Sequence, residues 1–180
     1  QQAKAQIAEA IKLNPRWLEP KLIMADLAMS TGDSKTAIET LQGVLKEDPR
    51  NARALMGLGN AYAVKGDWAK AGSTFEELIR VNPQNATAYI LSGRVYLARK
   101  QEKEAMTRFE KALALQPGAA EPMRHIVNSY MARGETQKAI DRVEAQLKAA
   151  PGNPYLYNLL GALYEAKKDT ASAEQYYRKS

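Results

Sequence analysis

Apolar residues along this chain gather on one side of a helical wheel, and the same arrangement returns 34 residues later. At 100° per residue, Leu55, Leu58, Gly59 and Tyr62 share one side of a helix, and Ala71 and Phe75 share one side of the next. Pro83 closes that stretch. Pro15, Pro49, Pro83, Pro117 and Pro151 follow one another at steps of 34, as do Ala3, Ala37, Ala71, Ala105, Ala139 and Ala173. A helical period within segments and a long period between them predicts helix hairpins stacked in one dimension, each burying its apolar face against its neighbours.

Leu58, Gly59 and Tyr62, then Ala71 and Phe75, then Pro83 read L-G-x-x-Y, A-x-x-x-F and P. These are the offsets of the tetratricopeptide repeat, which the sequence resembles over nearly all of its length. The resemblance implies an all-α fold, a right-handed α-α superhelix of antiparallel helix hairpins. It also implies one array over 1–180: the second helix of a partial repeat at 1–17, complete repeats at 18–51, 52–85, 86–119 and 120–153, and a truncated fifth at 154–180. The chain is read as a fragment of a longer bacterial repeat protein. Ala3, Ile7, Ala10 and Ile11 fall on one face of the opening helix, which is expected to cover the first complete unit.

Several positions depart from the family pattern. Lys21 and Ala28 stand where the first complete repeat should carry an aromatic and a Tyr. Lys100 replaces the Gly between two helices, so that turn is expected to be strained or altered. Val127 replaces a small residue at a helix crossing and Gln146 takes an apolar position, which predicts looser packing in 120–153. Tyr62, Tyr96, Tyr130 and Tyr164 lie on the packing side and are assigned to the core. Trp17 and Trp68 are expected to pack between units.

Positions 2, 5, 9, 12 and 13 of each first helix lie on the side opposite the packing residues. In the family this stripe lines the concave surface where ligands lie. The candidate partner-binding residues there are Arg53, Met56 and Asn60; Ile90, Arg94 and Leu97; Arg124, Asn128 and Met131; and Asn158. The asparagines can donate to and accept from a peptide backbone, the arginines can engage carboxylates, and the methionines and aliphatics offer an adaptable floor. The expected function is a protein-interaction scaffold that holds an extended or helical segment of a protein or peptide partner, weakly acidic in character. A carboxylate clamp of the chaperone-binding kind matches only partly, because Met56 and Ile90 occupy positions where it needs polarity.

Charge changes this picture little. Of the formal net charge of +6, half collects in 86–119, with six Lys or Arg against three acids, while the first 51 residues balance. Without stacking aromatics among the basic residues, a solvated helical face is expected and no nucleic-acid partner. No apolar run is long enough to span a membrane, so no direct insertion is expected. The lack of cysteine excludes disulfides and thiolate metal sites, and fits cytoplasm and periplasm alike.

His125 is the single histidine. One His with Glu121 four residues before it does not make a metal site, and it is expected on the surface. The glycines recur once per repeat at crossings and turns, with no phosphate-binding loop, so neither cofactor nor enzymatic activity is expected. The alternative function is self-assembly, the ends packing head to tail into dimers or longer arrays, motivated by Tyr176 and Tyr177, both expected to be exposed in the truncated last unit.

Overall fold

Five turns between helices carry a residue with positive φ: Gly32 at 78°, Gly66 at 75°, Lys100 at 60°, Gly134 at 72° and Lys168 at 64°. At Gly66 the amide of Asp67 donates to the Tyr62 carbonyl (2.9 Å) and that of Gly66 to Ala63 (3.0 Å), closing the last turn of the preceding helix. Lys100 forms the same pair of bonds, from Gln101 to Tyr96 (2.9 Å) and from Lys100 to Leu97 (2.9 Å). The turn therefore keeps its shape without glycine, and the lysine takes up the unfavourable backbone conformation.

The computed structural model describes residues 2–180, apart from the side chain of residue 3. Gln1 and the side chain of Ala3, expected on the packed face of the opening helix, lie outside the described residues. Among those described there are eleven helices and no strand. Each joins its neighbour through a short turn, the connection length that antiparallel neighbours require. No helix among them is long and apolar enough to cross a membrane.

The chain forms two compact units, residues 1–102 and 103–180. The N-terminal unit contains α1 (Gln2–Leu13), α2 (Leu18–Ser30), α3 (Ser34–Glu47), α4 (Ala52–Val64), α5 (Trp68–Val81) and α6 (Ala86–Ala98). Its core is continuous from Leu22 and Ala25 through Leu41, Val44, Leu55 and Leu58 to Phe75, Leu78 and Ala88. The C-terminal unit contains α7 (Glu102–Leu115), which starts at the boundary, α8 (Ala120–Ala132), α9 (Thr136–Ala149), α10 (Pro154–Ala166) and α11 (Thr170–Tyr177). Phe109, Leu113, Met123, Ile140, Leu156 and Leu160 are fully buried there.

Six helix starts are set by short polar side chains that the hydrophobic pattern does not reveal. Asn51, Asn85 and Asn153 cap α4, α6 and α10, while Asp33, Asp67 and Asp169 cap α3, α5 and α11; each side chain accepts a backbone N–H of the first turn. Hydrogen bonds hold the three aspartates below the ordinary carboxylate range: from the side chain and then the backbone of Thr36 to Asp33 and of Ser172 to Asp169, and from the backbone and then the side chain of Lys70 to Asp67.

Four positions singled out in the sequence take the following form. Val127 and Val143 are both buried, at 3% and 0% exposure, while α8 and α9 approach each other less closely than α4 and α5 or α10 and α11 do, in line with the bulk expected at this crossing. Val143 stands where Phe75 and Phe109 stand in the preceding hairpins. Gln146 is buried and satisfied: its amide donates to the Pro117 carbonyl at 2.7 Å, and its oxygen accepts from Arg142 at 3.0 Å. His125 is half-buried, its ring stacked on Phe109 with centroids 4.7 Å apart, because α8 turns that face toward α7. Trp17 is 53% exposed.

Candidate functional site

The stripe of the N-terminal unit runs over α2, α4 and α6, and two arrangements divide it. Arg53, at the first turn of α4, spans two carboxylates of α2: Nη1 donates to Glu19 at 2.6 Å and Nη2 to Asp26 at 2.7 Å. These bonds, Asp26 foremost and Glu19 second, raise the guanidinium's affinity for its proton. Arg53 thus neutralises the acids of its own stripe. All three side chains remain about half exposed or more.

One hairpin further on, Asn60 of α4 and Arg94 of α6 line a single cleft of about 300 Å³ together with Ala63, Val64, Trp68, Phe75, Leu91 and Val95. Asn60 and Arg94 stand 34 residues apart in sequence, at the same position of successive first helices. Met29, Ala63, Leu97 and Met131 share another such position, and Ala63 is its small member. Where Met29 packs against the core from α2, Ala63 leaves room. Val64, at 68% exposure, and Trp68, at 38%, stand at the mouth.

The remaining candidates of this unit are floor rather than contact groups. Met56, Ile90 and Leu97 are half-buried, and Met56 packs against the core. Leu22, which shares the repeat position of Met56 and Ile90, is buried outright.

In the C-terminal unit Arg124 and Asn128 of α8 and Asn158 of α10 are exposed, and Met131 is half-buried. Burial pushes the Tyr155 hydroxyl up, and the positive charge of Arg124 opposes that shift, so the two belong to one electrostatic neighbourhood. Of the Tyr ladder, Tyr62 is buried and accepts a hydrogen bond from the Gln42 amide (2.9 Å), while Tyr96, Tyr130 and Tyr164 are half-buried. Tyr164 and Tyr176 both donate to Glu144 at 3.2 Å, with their rings stacked 5.3 Å apart. Burial, and then Glu144, push the Tyr164 hydroxyl up to about 12, so it stays a donor at neutral pH. Tyr176 is thereby packed and bonded, against the expectation that it is exposed; Tyr177 is exposed.

Sequence reasoning passed over Trp68, Val64, Leu91 and Ala63 as site residues. The signal available was Ala63, the one small residue at a repeat position held elsewhere by Met29, Leu97, Met131 and Glu165. Among the described residues no group of three or more His, Asp and Glu is placed to hold a metal ion.

Comparison with known proteins agrees with the geometry. Crystal structures of MamA are similar, one at 28% identity with a TM-score of 0.65 over 87% of this chain and 91% of that one. MamA from Desulfovibrio magneticus RS-1 gives 0.65 at 21% identity, over 90% and 92%. YrrB, described as a TPR protein with an unusual peptide-binding site, gives 0.67 at 24% identity, over 96% and 89%. No curated relative matches. Family models for the tetratricopeptide repeat match residues 24–80, 65–121 with 96–163, and 154–180. Hairpins in a 34-residue register, with these models spanning them, establish that the chain belongs to the tetratricopeptide-repeat family of protein-interaction scaffolds.

Proposed function

We propose that the N-terminal unit binds an extended segment of a partner protein along the stripe of α4 and α6. The observation that carries this reading is the convergence of Asn60 and Arg94 on one cleft with an apolar floor. Asn60 has both a donor and an acceptor for a peptide group, and Arg94 supplies a charge-assisted donor for a carboxylate. Apolar lining with a few convergent polar groups is the general form of a recognition site. YrrB, a solved structure of the same fold, is described as having a peptide-binding site. Arg124, Asn128 and Asn158 present the same side-chain types on the C-terminal unit, whose own stripe is assigned the same role.

The test is selection from a random-peptide phage library against the full chain, repeated with Asn60→Ala and with Arg94→Glu. Enrichment of a peptide family by the parent chain, reduced about tenfold or more by either substitution at unchanged helix content, supports the reading. Equal enrichment by all three chains contradicts it.

A second reading, end-to-end self-assembly, rests on Tyr177 at 40% exposure beside a cleft lined by Glu165, Ala173 and Glu174. Sedimentation across a wide concentration range tests it: concentration-dependent growth in mass supports assembly, and a monomer throughout contradicts it.

A further inference from the structure

We infer that Arg124 of α8 and the Tyr155 hydroxyl of α10 together hold the side-chain carboxylate of an internal Asp or Glu of the partner segment, with Asn128 and Asn158 on either side of it. The inference rests on the peptide-binding reading of the C-terminal stripe and names the chemistry selected there.

Three observations carry it. The first is placement. In the N-terminal unit Arg53 of α4 reaches Glu19 and Asp26 of α2. Tyr155 holds the place of Arg53 in α10, and Glu121 and Asn128 hold those of Glu19 and Asp26 in α8. Arg124 lies between the latter two on the same helix face, and Asn158 lies one turn after Tyr155. The Asn153 amide donates to the Gly118 carbonyl at 3.1 Å, which fastens the start of α10 beside the start of α8.

The second is availability. Arg133, Arg142 and Arg178 of the same unit pair with Glu135, Glu110 and Glu174. Arg124 is exposed, and among the described residues no hydrogen bond or ion pair engages its guanidinium. Glu121, one turn before it, faces His125 at 3.8 Å. The Tyr155 hydroxyl and the side-chain amides of Asn128 and Asn158 are likewise without a partner among the described residues.

The third is chemistry. Burial raises the Tyr155 hydroxyl, so it stays a donor at neutral pH, and Arg124 is the one charge among the described residues that acts on it. A guanidinium offers parallel N–H groups to the two oxygens of a carboxylate, and the hydroxyl adds a further donor. One positive charge balances one carboxylate, whereas a phosphate ester would bring a charge of nearly −2. Asn128 and Asn158 each present a donor and an acceptor to a peptide group, so backbone continues on both sides of the acid, which favours an internal side chain over a chain end.

The experiment uses the full chain and the peptides it selects from the random library, remade as labelled synthetic peptides and read by fluorescence anisotropy. Selected sequences are expected to share an Asp or Glu. Replacing that acid by its amide, or Arg124 by Ala in the protein, is expected to weaken binding about tenfold, and the two together no more than either alone. Tyr155→Phe, which keeps the ring and its packing, is expected to weaken binding about threefold or more. Amidating the C-terminus of the peptide is expected to change nothing. Losses from Arg124→Ala and from the peptide amide that multiply when combined show that the acid sits elsewhere and overturn the site. Binding unaffected by Arg124→Ala, or lost on C-terminal amidation alone, overturns it too. In each of these cases peptides that bind the parent leave the peptide-binding reading standing. Failure to enrich any peptide overturns both.

Discussion

The ring of Phe75 lies so close to Gly59 that a Cβ built on that glycine would stand 2.4 Å from its Cε1. Helices α4 and α5 therefore touch through a missing side chain. In the C-terminal unit Gly161 and Tyr177 repeat the relationship at 2.5 Å, yet Tyr177 is 40% exposed where Phe75 is 1% exposed. Gly59→Ala is expected to lower stability by about 1–3 kcal/mol, since the buried ring has nowhere to go. Gly161→Ala is expected to be near neutral, because Tyr177 can swing outward and the alanine gains up to about 1 kcal/mol of helix propensity. Urea unfolding of the two variants measures the contrast, and equal losses would show that ring mobility does not decide it.

Lys168 occupies the left-handed region at φ 64° in the turn between α10 and α11. Lys168→Gly relieves a conformation that costs a non-glycine residue about 1–2 kcal/mol, offset in part by the greater freedom of glycine in the unfolded chain. A net gain of about 0.5–1 kcal/mol is expected, read as a rise in melting temperature. The matching change at Gly134, Gly134→Lys, is expected to lower it.

The capping aspartates make stability depend on acid. The folded-state pKa values of Asp33, Asp67 and Asp169 are depressed. Their contribution is therefore complete above the unfolded value, about pH 4, and is lost as pH falls through the lower folded values. Asn at all three sites keeps the cap acceptor and removes the titration. The triple variant is expected to show a shallower loss of stability below about pH 4, measured by thermal melts at a series of pH values.

Gln146 has a partner relationship that explains its burial. Tyr89 and Tyr157 donate their hydroxyls to the carbonyls of Pro83 and Pro151, at 3.3 and 2.9 Å. Met123 stands where the third such tyrosine would be, and Gln146 reaches from α9 to the Pro117 carbonyl instead. Gln146→Leu is expected to cost about 1–3 kcal/mol by stranding that carbonyl. Met123→Tyr in the same background is expected to recover part of the loss, which denaturant unfolding of the pair resolves.

The hairpins were legible because packing at a helix crossing restricts residue size: Ala37, Ala71 and Ala139 are all fully buried, and a larger residue would part the helices. The turn at Lys100 was legible as a conflict, since its neighbours in register are glycines. The long side chains were not. Periodicity gives the direction in which Arg53 leaves its helix, but not that its reach places it on Glu19 and Asp26 of the preceding one. The partners of a polar core residue were equally hidden: Gln146 taken alone predicts a packing defect, and only the Pro117 carbonyl and Arg142 beside it remove it. Trp68 lay outside the stripe positions, at the start of a second helix, so its place at the cleft followed from the turn geometry and not from the helical wheel.

Trp68 also offers the most direct test of peptide binding at the cleft. The chain has two tryptophans, and Trp17→Phe leaves Trp68 as the only one. The account predicts that a peptide selected by the parent chain shifts the emission of Trp68 to shorter wavelength as it saturates, with the same Kd as anisotropy. Emission that stays unchanged at saturating peptide would place the binding site elsewhere and contradict the account.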